Sequence, residues 1–458
     1  MWNDTRPDGG FGQADPLNST RLAGRPSPGQ TRSERSIFRC DSCPPRVFFC
    51  FCKIHNHHVR HPMSNMVVVF LSTQYFLIIC YNTYVTNKKK EILIVLAIIA
   101  IAAFFRFYDL DSLPPGLYPD EAMNGNDVVQ SMDSGNYPQL FYSNNNGREG
   151  LFINIQGLFI KAFGHEPWAL RMVSAIFGVL TVWGLYLLAK ELFDHNIAAL
   201  SAFLMAILFW HVNFSRIGFR AIMIPFILVF EFYFLWRAFK SSELKEFIYA
   251  GIFAGLGAYT YISYRVSPLI VIIAFANYWW YLKKDFSESR YEYARQRMFK
   301  GFVVMVATSL LIALPMIFFL INYPETFFSR TGASLSVFGQ NEPFYELLNN
   351  IVRTLGMFNF YGDFNWRHNI SGAPQLVWPI GVLFAIGFIK ELIHLFRMKH
   401  GHLSPIHVLL FSWFFVMLLP GFLSTESPHA LRTIGVIPVV VIFAGKGRTF
   451  PWYFVTHV

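Results

Sequence analysis

The sequence predicts an all-α polytopic membrane protein, a bundle of about ten transmembrane helices with two larger extracytoplasmic loops that carry short amphipathic helices. Three observations carry this. Of the 458 residues, 54% are hydrophobic, 50 are Phe and only 14% are charged, against roughly 25% charged in soluble domains. The apolar residues fall in blocks of about 17 to 22, each long enough to cross a hydrocarbon core of ~30 Å as a helix. Backbone groups in lipid must pair internally, and the alternating segments of roughly ten residues that mark a membrane barrel are not seen.

In chain order the spans are placed at 91–107, 169–190, 197–214, 221–239, 247–263, 267–282, 301–321, 374–394, 405–423 and 432–445. Lys and Arg in the short loops set the orientation. KKKE (88–91) precedes the first span, KKDFSESRYEYARQRMFK (283–300) follows the sixth, and KELIHLFRMKHGH (390–402) follows the eighth. RAFKSSELKE (237–246) and GKGR (445–448) fall on the same face, which is therefore read as cytoplasmic, in a plasma (inner) membrane. The net charge of +10 follows largely from this topology and from the amino terminus, and nothing resembles a basic soluble domain for nucleic acid. The polar stretches 108–168 and 322–373 then face outward.

The first 87 residues stand apart from this pattern. Residues 1–65 are polar, basic and rich in Pro, Gly and Ser, the composition of a disordered segment. CDSCPPRVFFCFCKIHNHHVRH (40–61) holds four of the five cysteines beside His55, His57, His58 and His61, a spacing that admits tetrahedral zinc. The plainer reading is an extension ahead of the natural start, with Met63 and Met66 as later starts and 66–81 as a marginal extra apolar segment. No small-residue cleavage site follows it closely. Residues 88–445 are expected to form the membrane domain, and 446–458 a short, truncated tail.

Candidate chemistry gathers on the outer face. Asp120 and Glu121, in LPPGLYPDEAMNGND (113–127), follow the first span. Two readings stay open: Pro119 and Asp120 open a short helix with Asp120 as its cap and Glu121 on its dipole, or the pair is a site. Arg148, Arg171, Arg216, Arg220, Arg265 and Arg432 all map to outer loops or outer helix ends, where the positive-inside bias disfavours them. The guanidinium fork suits phosphate oxygens, although any single one of these arginines is explained as well by snorkelling or local pairing. YGDFNWRHN (361–369) crowds Asp363, Arg367, His368 and Asn369 around Trp366, either an ordinary polar loop or a sugar-binding surface. SPHALR (427–432) adds His429 and Arg432. Glu231, in FILVFEFYFLW, is deep enough to count as functional, or else pairs with Arg237.

These segments resemble a known family. GLYPDEAMNGND, SNNNGREGLFINIQGLFIKAFG (143–164), EPWALRMVSAIFGVLTV (166–182), FWHVNFSRIGFRAIMIPF (209–226), GDFNWRHNISGAP (362–374) and PHALRTIGVIP (428–438) look like bacterial members of the GT-C superfamily of integral-membrane glycosyltransferases. They are similar to the family 39 branch, which holds protein O-mannosyltransferases and lipid A aminoarabinose transferases. The resemblance covers 88–445 and implies a GT-C-type bundle, a polyprenyl-phosphate sugar donor, and an extracytoplasmic active site under the first loop. The implied reaction is inverting transfer of a hexosyl, mannosyl or pentosyl unit to a hydroxyl or amine of a protein, lipid or glycan acceptor. The family's catalytic carboxylate falls on Asp120, with Glu121 the adjacent acid; the divalent metal that some members need would use these two. Substrate contacts are expected from Arg148, Glu149, Arg216, Arg220, Arg265, Asp363, Arg367, His368, His429 and Arg432. Two departures stand out: GREGLF occupies the place of a His-Pro-Pro stretch, and the chain ends soon after the last span. Alternatives from other classes are a lipid-linked-sugar flippase or secondary transporter, for which internal repeats and midplane charges are expected, and a non-catalytic membrane subunit. The chain lacks a Walker-type loop for a nucleotide-driven pump.

Overall fold

The computed structural model describes residues 88–285, 288–326, 336–397 and 404–448. The zinc spacing at 40–61, the segment 66–81 and the tail beyond 448 lie outside the described residues. The described residues belong to one compact unit, Tyr84–Val458.

Helix α1 (Lys88–Phe107) starts in the lysine run with Glu91 in its first turn and ends one residue past Arg106. The first long loop folds into α2 (Pro119–Asp133), a hairpin of β1 (Phe141–Tyr142) with β2 (Arg148–Glu149), and α3 (Gly150–Phe163). Pro119 opens α2 and Pro167 opens α4 (Pro167–Leu192), each supplying the φ a first helical residue needs without losing a bonded N–H. Asp194 caps α5 (His195–Ile207) by accepting the N–H groups of Asn196 and Ile197. Then come α6 (Phe209–Arg216), α7 (Met223–Ser241), α8 (Leu244–Leu256), α9 (Pro268–Asp285) and the long α10 (Glu288–Asn322). The second long loop carries α11 (Pro343–Gly356), and the chain continues as α12 (Trp378–Arg397), α13 (Pro405–Phe422) and α14 (Ile437–Gly447).

Six of the described helices are long and apolar enough to cross a membrane, or seven if the bent pair α5–α6 is one span. Three expected spans differ in form. The stretch 197–214 breaks at Leu208 with a bend of 55°. The carbonyls freed there are bound by a buried arginine: Arg106 donates to Ala206 O at 2.9 Å and Met205 O at 3.2 Å, and its other N–H groups reach His211 Nδ1 and Ser215 Oγ. The stretch 247–263 is α-helical only to Leu256 and continues as a 3-10 turn over Gly257–Tyr259 that breaks at Thr260, with Gly257 packed against the Tyr264 ring. A Cβ at Gly257 would sit 1.9 Å from that ring. The last stretch, 432–445, yields a short α14 that is buried along nearly its whole length, as a helix apolar on every side must be.

Helix packing sets the height of the loops. α4 lies against α5 and α7, α14 is enclosed by α5 and α12, α8 runs along α10, and α9 meets α13. Two buried indoles fasten the segment before α14: Trp210 donates to Ala430 O (3.2 Å) and Trp413 to Gly435 O (2.8 Å). The amphipathic loop helices expected from sequence are present. α11 turns Phe344, Leu348 and Val352 outward and buries Asn350 and Thr354, which bond to Ser424 O and Ser427 Oγ. A helix that hides its polar side and shows its apolar side is arranged for contact with lipid.

Candidate active site

The two adjacent carboxylates of the first loop have separate surroundings. Glu121 is fully buried. Its Oε1 accepts from Gly218 N–H (2.6 Å) and Arg171 Nε (3.1 Å), and its Oε2 accepts from Tyr118 N–H (2.9 Å). Glu121, at the third position of α2, thus supplies the side-chain contact to the helix start, and the cap expected from Asp120 is not made. Gly218 is needed for this approach, since a Cβ there would meet Gln156 Nε2 at 2.9 Å and Glu121 Oε1 at 3.3 Å. Asp120 keeps 34% of its side chain exposed. Arg367 donates to its Oδ2, and Asn145 donates to its Oδ1 at 2.5 Å. The Arg367 guanidinium lies over the rings of Tyr118 (5.1 Å) and Phe219 (5.6 Å), and Trp366, 75% exposed, stands 4.9 Å from Tyr118. Asp120 is therefore a solvent-facing carboxylate held from two sides beside a small aromatic platform.

The arginines separate by what they touch. Arg148 is buried in an ion pair with Asp127 and also donates to Asn124. Arg171 serves Glu121 and the carbonyls of Leu110, Pro114 and Gly116. Arg216 donates to the carbonyls of Phe105, Asp109 and Leu113, tying α6 to the end of α1 and the loop beyond it. Arg432 donates to Ser424 and lies 4.0 Å from Glu426. Arg148, Arg171 and Arg216 thus spend donors on buried carboxylates or backbone oxygens, and Arg432 on a hydroxyl and the exposed Glu426. Arg220 and Arg265 differ. Both face the buried Glu149, at 2.9 Å and 3.8 Å, so two cations share one carboxylate. Arg220 also lies 5.2 Å above the Tyr261 ring and has a buried Nη2 without a hydrogen-bond partner. A buried guanidinium donor left over suits an anion.

The residues of 361–369 and 427–432 form a third group. His368 Nδ1 lies 2.8 Å from Asp363 Oδ2, which also accepts from Ala430 N–H at 2.8 Å, while Asn365 N–H donates to Oδ1 at 2.8 Å. Burial raises the Asp363 carboxyl, but the His368 bond and charge with the two N–H donors outweigh it and hold the group below the usual carboxylate range. His429 packs 4.9 Å from His368, and burial pushes it down to about 4, so it is neutral at pH 7. Asp363 and His368 thus lock the turn that aims Arg367 at Asp120. Asn369 closes the same turn through Ala373 O.

The oxygens of Glu121 are taken by buried N–H donors, whereas Asp120 has one donor on each oxygen and still faces solvent. The described group that does converge, Asp363 with His368 and His429, lies within 4.8 Å, but two N–H donors already hold its shared oxygen. Sequence reasoning did not single out Arg106, Asp127 or Asn145. Arg106 is marked only by being a charge near the end of an apolar helix, and Asn145 by its place in the turn signal SNNNG. Glu231 does not pair with Arg237: it accepts from Tyr264 Oη at 2.7 Å, and Arg237 bonds to Glu246 at 2.8 Å.

Residues 151–288, from α3 to the start of α10, match the family described as dolichyl-phosphate-mannose-protein mannosyltransferase. YkcB of Bacillus subtilis (strain 168), a mannosyltransferase by name, is 25% identical over 198 residues, which are 41% of this chain and 26% of YkcB. Oligosaccharyltransferase AglB from Archaeoglobus fulgidus, solved with an inhibitory peptide and a dolichol-phosphate, has a TM-score of 0.53 at 17% identity, covering 78% of this chain and 50% of that one. ArnT from Cupriavidus metallidurans, bound to undecaprenyl phosphate, has a TM-score of 0.50 at 14% identity, covering 78% of this chain and 59% of that one. The chain has the fold of the GT-C membrane glycosyltransferases. It spans about a quarter of YkcB and between half and three fifths of the two solved structures. Within this GT-C fold, Arg171, Arg216, Arg220 and Arg265 lie inside the matched segment, whereas Asp120, Asp363 and His429 lie outside it.

Proposed function

We propose that this protein transfers a sugar from a polyprenyl-phosphate donor to an acceptor hydroxyl, by a single displacement that inverts the anomeric centre. The reaction takes place on the extracytoplasmic face of the plasma membrane. The observation that carries this reading is the exposed Asp120, held by Arg367 and Asn145 while its neighbour Glu121 is sealed in the fold. Asp120 takes the acceptor proton as the acceptor oxygen bonds to the anomeric carbon. The bond from that carbon to the phosphate oxygen breaks, and Arg220 and Arg265 hold the departing phosphate as its charge grows. Arg367 orients Asp120, and Trp366 with Tyr118 offers a ring face to the sugar. Arg148, Arg171, Arg216 and Arg432 serve the fold in this scheme. The polyprenyl phosphates bound by AglB and ArnT, and the mannosyltransferase description of the matching family, support a lipid-linked hexose and favour mannose.

The test uses the full chain in nanodiscs with radiolabelled polyprenyl-phosphate sugars, mannose first, followed by measurement of released polyprenyl phosphate and labelled product. In parallel, proteoliposomes report whether the intact lipid crosses the bilayer. Lipid crossing without cleavage of the sugar–phosphate bond would discard the transferase in favour of the flippase. Glu231, the residue that invited a transport reading, is buried under Tyr264.

A further inference from the structure

The turn between β1 and β2 contains three consecutive asparagines, and each has its own task. Asn144 donates to Asp127 Oδ1 at 2.6 Å and so anchors the turn to the buried Asp127–Arg148 pair. Asn145 donates to Asp120. Asn146 lines an open cleft of about 520 Å³. Asn145, Asn146 and Gly147 hold left-handed φ of 52°, 60° and 80°. Residues with a Cβ adopt that region at a cost, Asn among the least reluctant, and successive left-handed residues are what a tight hairpin turn uses. Gly147 also lets the Phe141 ring come close, since a Cβ would sit 2.5 Å from it.

The opposite wall of the cleft comes from the end of α10. The rings of Phe141, Phe319 and Tyr323 form a continuous strip with centroids 4.9 Å apart at each step and tilts of 32° and 37°. Ser143, Asn146 and Glu325 supply a hydroxyl, an amide and a carboxylate around it. The volume falls in the range of about 300–1,000 Å³ usual for small-molecule sites.

We infer that this cleft seats the acceptor and that the acceptor is a saccharide; the inference rests on the transferase reading above. A pyranose presents an apolar C–H face and a rim of hydroxyls, and the ring strip with its three polar neighbours complements both. The strands beside the cleft are two residues long, so a peptide could not dock here by adding a strand. The acceptor hydroxyl gives its proton to Asp120, its oxygen bonds to the anomeric carbon, and polyprenyl phosphate leaves, so the products are a glycoside longer by one sugar and the free lipid phosphate. Asn145 is a positioning residue: it donates to Asp120 Oδ1 while Arg367 occupies Oδ2, and the next residue in the same turn, Asn146, lines the cleft.

The test has two arms, both on the full chain in nanodiscs. Saturation-transfer NMR with a panel of methyl glycosides reports binding, and transfer from polyprenyl-phosphate mannose to the same glycosides, or to a Ser/Thr peptide, reports turnover. Phe319→Ala and the more conservative, exposed Tyr323→Ser should raise the acceptor KM about three- to tenfold, as loss of one stacking ring implies. They should also weaken saturation transfer at fixed glycoside concentration. Asn145→Ala should lower kcat while leaving the acceptor KM within about twofold, and Asn145→Gln should restore part of it. Transfer to the peptide but to no glycoside, or an acceptor KM unmoved in folded Tyr323→Ser, would overturn the saccharide cleft. Cleft-dependent glycoside binding without any release of polyprenyl phosphate would keep the cleft and sink the transferase reading instead.

Discussion

Asp120→Asn separates chemistry from architecture at this site. The asparagine keeps the size of the side chain and an oxygen for Asn145 or Arg367, but it cannot accept the acceptor's proton. A positioned general base contributes about 10²- to 10⁴-fold, a barrier change of roughly 3–5 kcal/mol. The ion pair lost with Arg367 is partly solvated, with 34% of the Asp120 side chain and 24% of the Arg367 side chain exposed, so its contribution to stability is at most about 1 kcal/mol. The variant should therefore lose at least a hundredfold in kcat while its thermal unfolding curve barely moves and the donor KM stays nearly constant. The assay is release of polyprenyl phosphate by protein in nanodiscs, paired with a melt followed by intrinsic fluorescence. A folded Asp120→Asn that turns over within about threefold of the natural protein would refute the base assignment.

The neighbouring Glu121→Gln should show the reverse pattern, a stability loss of roughly 3–5 kcal/mol from leaving buried Arg171 without its charge partner. A well-folded but inactive Glu121→Gln would instead make Glu121 part of the chemistry. Arg220→Ala should raise the donor KM about ten- to a hundredfold, since hydrogen bonds to charged groups are worth about 1.5–3 kcal/mol; Arg216→Ala, which frees only backbone carbonyls, should appear in the melt and not in donor binding. His429 is held neutral by burial with a value of about 4, so an unfolded chain binds a proton between about pH 6.5 and that value which the folded chain refuses. Stability should fall as pH drops through this window, by roughly 3 kcal/mol when complete. Melting temperatures from pH 7 to 5 should decline more steeply than in His429→Gln, and parallel curves would count against the assignment.

The bundle was legible because lipid imposes long apolar helices on any chain that crosses it. The two breaks were less so. Around Leu208 both flanks are apolar and no Gly or Pro marks the bend, and what stabilises it is a side chain about a hundred residues earlier. At Leu256 the signal, Gly257, was present, but glycine is common inside membrane helices. The place of Asp120 after a span was readable, but its hold by Arg367 and Asn145 was not. The roles of the arginines were not, because the same fork that suits a phosphate suits three carbonyls, and Arg216 meets its three more than a hundred residues back in the chain. Asn145 stood within a quoted segment, yet only the folded hairpin brings it to Asp120.

The buried Arg106 also orders events in time. Its partners Met205, Ala206, His211 and Ser215 are made 99 to 109 residues later than the arginine itself. Within its own helix the guanidinium has one carbonyl partner, Ala102 O at 3.0 Å, and one residue from the helix end it is placed to reach the headgroups. When the third hydrophobic stretch arrives, its kink exposes the carbonyls that draw this charge inward, and each feature is unaffordable without the other. Contact between the first and third stretches thus satisfies the buried charge and the kink together, and Arg216, at the end of that same kinked stretch, fastens the loop approaching Asp120.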